Sequence, residues 1–264
     1  MIRGIANFDF QLFELMKQEN ITITEACKML RSFGYTHMET GFCTLTDDAL
    51  AAYRKNDLAI SNIFTWFSCN DPAEKICAAL DALILKAAEA ESPFVMPLPE
   101  DEEGNLDMIW QILQSRADLA ASHGVTMILE DFDYAKRTYN NIAGVRAYLD
   151  HVPALKCCFD TGNFISAGET LDDAWSQLKT DTVHFHLKDR KRAPDGSLQS
   201  TPVGTGDLGL LDFVRARLDE GFSGILALEQ SPMENQREAS RISIENVKKL
   251  KVNLNQPKKG QNDV

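Results

Sequence analysis

LKCCFDTGNFISAGETLDDAWSQLKTDTVHFHLKD, residues 155–189, carries the reading of the fold. It opens on LKCCFD (155–160), a short apolar run, and closes on TVHFHLK (182–188), rich in β-branched and aromatic side chains. Each run has the length and composition of a buried strand, and the segment between them is long enough for a crossover helix. Two strands joined by such a crossover pair in parallel. The same alternation continues outward. Upstream lie IRGIANF (2–8), THMET (36–40), LAISNIF (58–64), SPFVMPL (92–98) and VTMILED (125–131), and downstream lies GILALEQ (224–230).

Eight strand and helix pairs in about 250 residues predict an α/β fold, a closed (β/α)8 TIM barrel. Helix punctuation agrees with this: Thr22 and Glu25 form a capping box on a segment that Gly34 ends, Asp71 and Pro72 suit an N-cap and first residue, and Gly124 stops the helix from 107. No Pro/Gly-rich linker divides the chain, so residues 1–252 read as one barrel domain and 253–264 as a polar C-terminal tail. The acidic EDEEGNLD (100–107) reads as a solvated loop after strand four.

Charge narrows the chemistry. With 39 acidic and 27 basic side chains the formal charge is −12, and no basic stripe offsets it, which argues against nucleic acid as a partner and favours a small molecule. No apolar window is long enough to span a membrane, and MIRGIANFDF lacks the apolar core of a secretory signal. Six cysteines without a CxxC pattern suit reduced thiols in a cytoplasmic protein. GTGDLG (204–209) has the spacing of a dinucleotide fingerprint, but polar DGSLQSTP precedes it instead of a strand, so these glycines are expected to shape a loop over the barrel mouth.

In a parallel barrel all strand C-termini open on one mouth, so polar residues at those ends converge. Glu39, Glu130, Asp160, His186 and Glu229 all occupy such ends. Three carboxylates and an imidazole from four strands supply donors suited to Mn, Co, Mg or Zn. Without a cation they would repel one another and take up protons, which is the argument for one divalent metal ion. His184 and His186 share a face; His186, nearer the mouth, is the ligand candidate and His184 reads as a hydrogen-bonded core histidine. Lys188 continues that face toward substrate, and the DTGN turn at Gly162 aims Asp160 and Asn163 into the mouth.

These motifs, taken in order, resemble the sugar phosphate isomerase/epimerase family of xylose isomerase-like TIM barrels over nearly the whole chain. In that family a glutamate ends strand five (ILE, Glu130), an aspartate ends strand six (FDTGN, Asp160), a histidine ends strand seven (HLKD, His186), and a glutamate ends strand eight after GxxGxxxxE (GFSGILALE, Glu229). The resemblance implies a divalent metal, often manganese, held by Glu130, Asp160, His186 and Glu229 and chelated further by vicinal oxygens of a sugar. Arg192 matches a substrate-binding arginine of the ketose epimerases. Those epimerases carry a histidine where this chain has Asn163 and HxSE where it has HLKD, which points toward relatives such as inosose dehydratases. The apurinic-site endonucleases of the same superfamily need many histidines at the mouth, and only five occur here.

The expected activity is isomerisation or epimerisation of a sugar, keto-sugar or sugar phosphate by proton abstraction next to a carbonyl, through a metal-stabilised enediolate. Glu130 and Glu229 would be the catalytic acid and base, with Asn163, Lys188 and Arg192 binding substrate and Trp66 and Phe67 supplying an apolar wall. A dehydratase or lyase acting on a keto-inositol or keto-sugar would use the same metal site. A non-catalytic sugar-binding or accessory barrel is the alternative from another class. Any of these readings allows a homo-oligomer.

Overall fold

The computed structural model describes residues 2–101 and 105–250. Seven parallel strands, β1 (Gly4–Phe8), β2 (His37–Gly41), β3 (Ala59–Ser68), β4 (Phe94–Glu100), β5 (Thr126–Glu130), β6 (Lys156–Asp160) and β7 (Thr182–Lys188), follow one another around the wall. An antiparallel hairpin, β8 (Arg190–Arg192) with β9 (Leu198–Ser200), stands outside the barrel before β10 (Ile225–Glu229) closes it between β7 and β1. This is a single (β/α)8 TIM barrel. Its helices form where the apolar spacing predicts: in Ala73–Glu89, Ile76, Leu80, Leu83, Ile84 and Ala87 are all buried. The Thr22–Glu25 capping box is present in both directions, and Gly34 ends that helix at φ 112°, in the left-handed region.

Three expectations need correction. The cap at Asp71 is displaced by one residue: Pro72 is the N-cap, and the Asp71 carboxylate instead accepts from Lys75 Nζ at 2.8 Å. The acidic stretch after β4 is not uniformly solvated. Glu100 ends the strand, and Asp101 is buried, accepting hydrogen bonds from the Thr138 amide (3.1 Å), the Thr138 hydroxyl and Tyr148 Oη (2.7 Å). Glu102, Glu103 and Gly104 lie outside the described residues, as does the tail at 253–264. Finally, β3 runs four residues past its predicted end, because Thr65–Ser68 stay in register with Pro97–Glu100 of β4.

The prolines of β4 explain a local opening of the wall. In a parallel strand, residues of one parity bond one neighbour and those of the other parity bond the opposite neighbour. Pro93 accepts from Thr126 of the β5 strand, so Pro97 and Pro99 face β5 as well, and neither has an N–H to give. The β4–β5 ladder accordingly stops at Val95–Met127. The carbonyl of Pro99 is taken by Tyr139 Oη at 2.7 Å.

Side-chain alternation divides the core in two. The larger part packs helices on the outside of the sheet, and a smaller cluster including Phe8, Phe94, Met96, Ile128, Ile225 and Ala227 fills the barrel interior. The same inward columns end in charge: Ile128 is followed inward by Glu130, Cys158 by Asp160, and Ala227 by Glu229. The six cysteines are free thiols. Among the described residues no helix is long and apolar enough to cross a membrane.

Candidate metal centre

Local backbone chemistry fixes the first of the converging groups. Asp160 ends β6, and its Oδ1 accepts from the amides of Gly162 (2.6 Å) and Asn163 (2.9 Å), which folds the DTGN turn around the carboxylate and leaves Oδ2 pointing away from the turn. A Cβ on Gly162 would lie 2.7 Å from Lys188 Cγ, so glycine is what lets the lysine stem cross the turn.

Ligand atoms of Glu130, Asp160, His186 and Glu229 all lie within 4.8 Å of one another. His186 Nδ1 is 3.0 Å from Glu130 Oε1 and 3.4 Å from Glu229 Oε2, and Lys188 Nζ is 3.1 Å from Asp160 Oδ2 and 2.9 Å from Glu229 Oε1. Asn163 ties the group together: its Nδ2 donates to Glu130 Oε1 (3.2 Å) and the Asp131 carbonyl (2.8 Å), and its Oδ1 accepts from Lys188 Nζ (3.0 Å). The centre is sunk in the barrel, reaching solvent chiefly through Glu229, whose side chain is 18% exposed.

The electrostatics suit a cation. Burial, reinforced by the charge of Glu229 and opposed by His186, pushes Glu130 up to about 7. Burial likewise raises Glu229, against the pull of Lys188, and it raises Asp131, with Asp160 and Glu130 adding to the effect. Asp160 stays below the ordinary range because Lys188 and His186 outweigh its burial. Burial disfavours a charged His186, yet Cys158, Glu130 and Glu39 hold its pKa above the usual histidine value. His186 Nδ1 and Asp160 Oδ2 are buried and face the cluster without a hydrogen bond, touching their neighbours only by charge. Two orphaned ligand atoms, an excess of carboxylates and an O3N donor set fit a divalent ion.

Glu39 was visible in the sequence as a strand-end acid, but its role was not. It is fully buried on β2 and reaches across the interior, where Oε1 accepts from His186 Nε2 (2.8 Å) and Asn62 Nδ2 (2.7 Å), while Oε2 accepts from His184 Nε2 (2.8 Å) and Ser61 Oγ (3.4 Å). The polar pair Ser61–Asn62 inside the apolar LAISNIF was the signal for such a partner. Asp131, whose Oδ1 accepts from the Asp160 amide at 3.2 Å, was also missed.

Arg192 is not brought to the cluster. It sits exposed on β8, where its Nη1 donates to the Gly196 carbonyl of the same hairpin (3.0 Å), while Arg190, two residues earlier, reaches Asp133 Oδ2 beyond β5 (3.1 Å). The GTGDLG glycines do form a loop: Asp189 Oδ2 accepts from the amides of Gly204 (2.9 Å) and Gly206 (2.8 Å), and a Cβ on Gly206 would sit 2.2 Å from Asp189 Oδ1. Of the two expected wall aromatics, Phe67 is buried. Trp66 is 41% exposed, packs edge-on against Phe132, and with Tyr134, Glu100, Asp133 and Arg137 lines a cleft of 440 Å³ at this end of the barrel.

The family model for xylose isomerase-like TIM barrels matches residues 27–250. The chain belongs to this family. No curated protein sequence matches it. Solved structures do. They include the probable 3-DHS dehydratase AsbF of Bacillus anthracis, involved in petrobactin synthesis (14% identity, 94% of this chain and 99% of that one, TM-score 0.73). A second is the IolI protein with a bound zinc atom (19% identity, 94% and 96%, TM-score 0.70). A third is a sugar phosphate isomerase/epimerase of Parabacteroides distasonis (12% identity, 93% and 95%, TM-score 0.68). At these identities the likeness is one of fold.

Proposed function

We propose that this xylose isomerase-like barrel is a divalent-metal-dependent enzyme that isomerises or epimerises a sugar, keto-sugar or sugar phosphate by moving a proton next to a carbonyl. The observation that carries the reading is the meeting of Glu130, Asp160, His186 and Glu229 within 4.8 Å, with Nδ1 and Oδ2 of the middle pair left without hydrogen bonds. These four residues would hold the ion: manganese by family resemblance, with cobalt, magnesium and zinc suited to the same donors, and zinc bound in the IolI relative. When bound, the ion supplies Lewis acidity toward a carbonyl oxygen.

The chain's own residues account for the proton traffic. Glu130 is held at Oε1 by Asn163 at the edge of the cluster, placed to pass a proton as a general acid or base. Glu229 faces it across His186 and is the carboxylate open to solvent, so the pair can remove a proton at one face of a substrate carbon and return one at the other. Lys188 orients substrate oxygens from its place between Asp160 and Glu229, and buried Asn163 holds both Glu130 and Lys188 in place.

A dehydratase or lyase is the second reading. It is favoured by the Lys188 ammonium 2.9 Å from Glu229, a charged hydrogen-bond donor placed to stabilise a departing hydroxyl, and a dehydratase stands among the structural relatives. Metal analysis of the purified protein, then a screen of ketoses, keto-inositols and their phosphates for solvent deuterium uptake, tests both. Exchange without elimination supports the isomerase, and elimination supports the lyase. Glu229→Gln should abolish exchange with the fold intact; full activity in that variant would remove Glu229 from the mechanism.

A further inference from the structure

We propose that Glu39 is a positioning residue: its carboxylate fixes the tautomer and ring orientation of His186, so that Nδ1 is the atom offered to the metal cluster. The inference rests on the metal-centre reading above and adds a residue from the far side of the barrel.

An ionised carboxylate only accepts, so both imidazole contacts to Glu39 require hydrogen on the histidine Nε2 atoms. In a neutral ring, a proton on His186 Nε2 leaves the lone pair on Nδ1, the atom that lies 3.0 Å from Glu130 Oε1 and makes no hydrogen bond of its own. Glu130 Oε1 and Glu229 Oε2 lie 3.0 and 3.4 Å from Nδ1, where a bound cation would take the place of the proton they attract, so Glu39 is the carboxylate that keeps hydrogen on Nε2. Phe8 meets the ring edge-on at 5.0 Å and His184 meets it at 5.3 Å; both restrict its tilt, but neither distinguishes the two nitrogens. Glu39 is itself anchored, because Asn62 on β3 and His184 on β7 donate to its two oxygens and Ser61 Oγ lies 3.4 Å from Oε2.

Packing alone gives no reason for this arrangement. The surrounding interior is filled by Phe8, Phe94, Ile128, Ile225 and Ala227, and an apolar side chain at position 39 would fill the same volume without burying a charge. The arrangement does match the way metal-binding histidines are commonly held, with the distal N–H on a carboxylate that orients the ring and raises its basicity.

The first test uses the unaltered protein. Full-length protein labelled with 15N at histidine is stripped by chelator and loaded with Zn²⁺, and the imidazole nitrogens of His186 are read by NMR. The expected spectrum has a protonated Nε2 and a metal-shifted Nδ1; a metal-shifted Nε2 overturns the proposal. Glu39→Gln then supplies the affinity measurement. Calorimetric titration with Co²⁺ should show binding weakened by roughly 10- to 100-fold, with a circular dichroism spectrum like that of the parent. Equal affinity in parent and variant assigns Glu39 to packing and overturns the proposal. A parent protein that takes up neither ion overturns the metal reading itself, an outcome distinct from the other two.

Discussion

Lowering the pH should weaken divalent-ion binding, because two ligands must each give up a proton. Glu130 titrates near 7, so between pH 8 and pH 6 its deprotonated fraction falls about tenfold, a cost of about 1.4 kcal/mol. His186 is held above the ordinary histidine value, and since Nε2 is engaged with Glu39, the proton it must lose is the one on Nδ1. Each pH unit below that pKa costs a further factor of about ten. The slope of log K against pH should therefore be steepest below about pH 7, where both ligands carry protons, and should flatten as Glu130 ionises.

Calorimetric titration with Co²⁺ in buffers of different ionisation enthalpy counts the protons directly, and more should be released at pH 6 than at pH 8. The stability of the metal-free barrel moves the other way. Glu130 titrates higher folded than unfolded, where its value is 4.5, so its contribution is fully present below 4.5 and is lost as pH rises through about 7. That shift corresponds to about 3 kcal/mol. Metal-free melts should thus fall in midpoint from pH 5 to pH 8, while loaded protein resists the fall. Affinity independent of pH over this range, with no proton released, would refute the assignment of Glu130 and His186 as ligands.

Two further outcomes follow from single contacts. Lys188→Met removes the ammonium between Asp160, Glu229 and Asn163; kcat should drop by roughly 10²- to 10⁴-fold while Co²⁺ affinity by calorimetry holds or improves, since a competing cation is gone. Asp101→Ala strands the Tyr148 hydroxyl and both donors of Thr138, and urea denaturation should show a loss of about 3 kcal/mol with metal binding unchanged.

What the sequence reveals about this protein is mostly what repeats or alternates. All eight barrel strands stand out because their apolar runs recur at crossover spacing, and the four cluster residues stand out because each ends such a run. Features set by a partner elsewhere in the chain are hidden. Asp101 looks solvated inside EDEEGNLD, since nothing local announces that Tyr148 and Thr138 will cover it. Arg192 and Arg190 are indistinguishable until the hairpin exists, because only its pairing sends one guanidinium to Asp133 and the other to its own turn. Glu39 is legible as a strand-end acid, but His184 lies 145 residues away in the chain, and barrel closure alone makes them neighbours.

Each cluster residue divides its two polar atoms between scaffold and site, and the division separates structural ligands from reacting ones. His186 gives Nε2 to Glu39 and Asp160 gives Oδ1 to two backbone amides, so each is anchored through one atom and free through the other. Glu130 is tethered at Oε1 by the amide of Asn163, a neutral and buried donor. Glu229 has only Lys188 at Oε1, the end of a four-carbon stem that can swing, and it is the one carboxylate of the three with appreciable access to solvent. A base must move a proton between substrate and surroundings, which requires an unclamped oxygen and an exit. By that criterion Asp160 and His186 are built to hold, Glu130 to hold and exchange, and Glu229 to exchange, which makes Glu229 the group whose loss should cost most in turnover and least in fold.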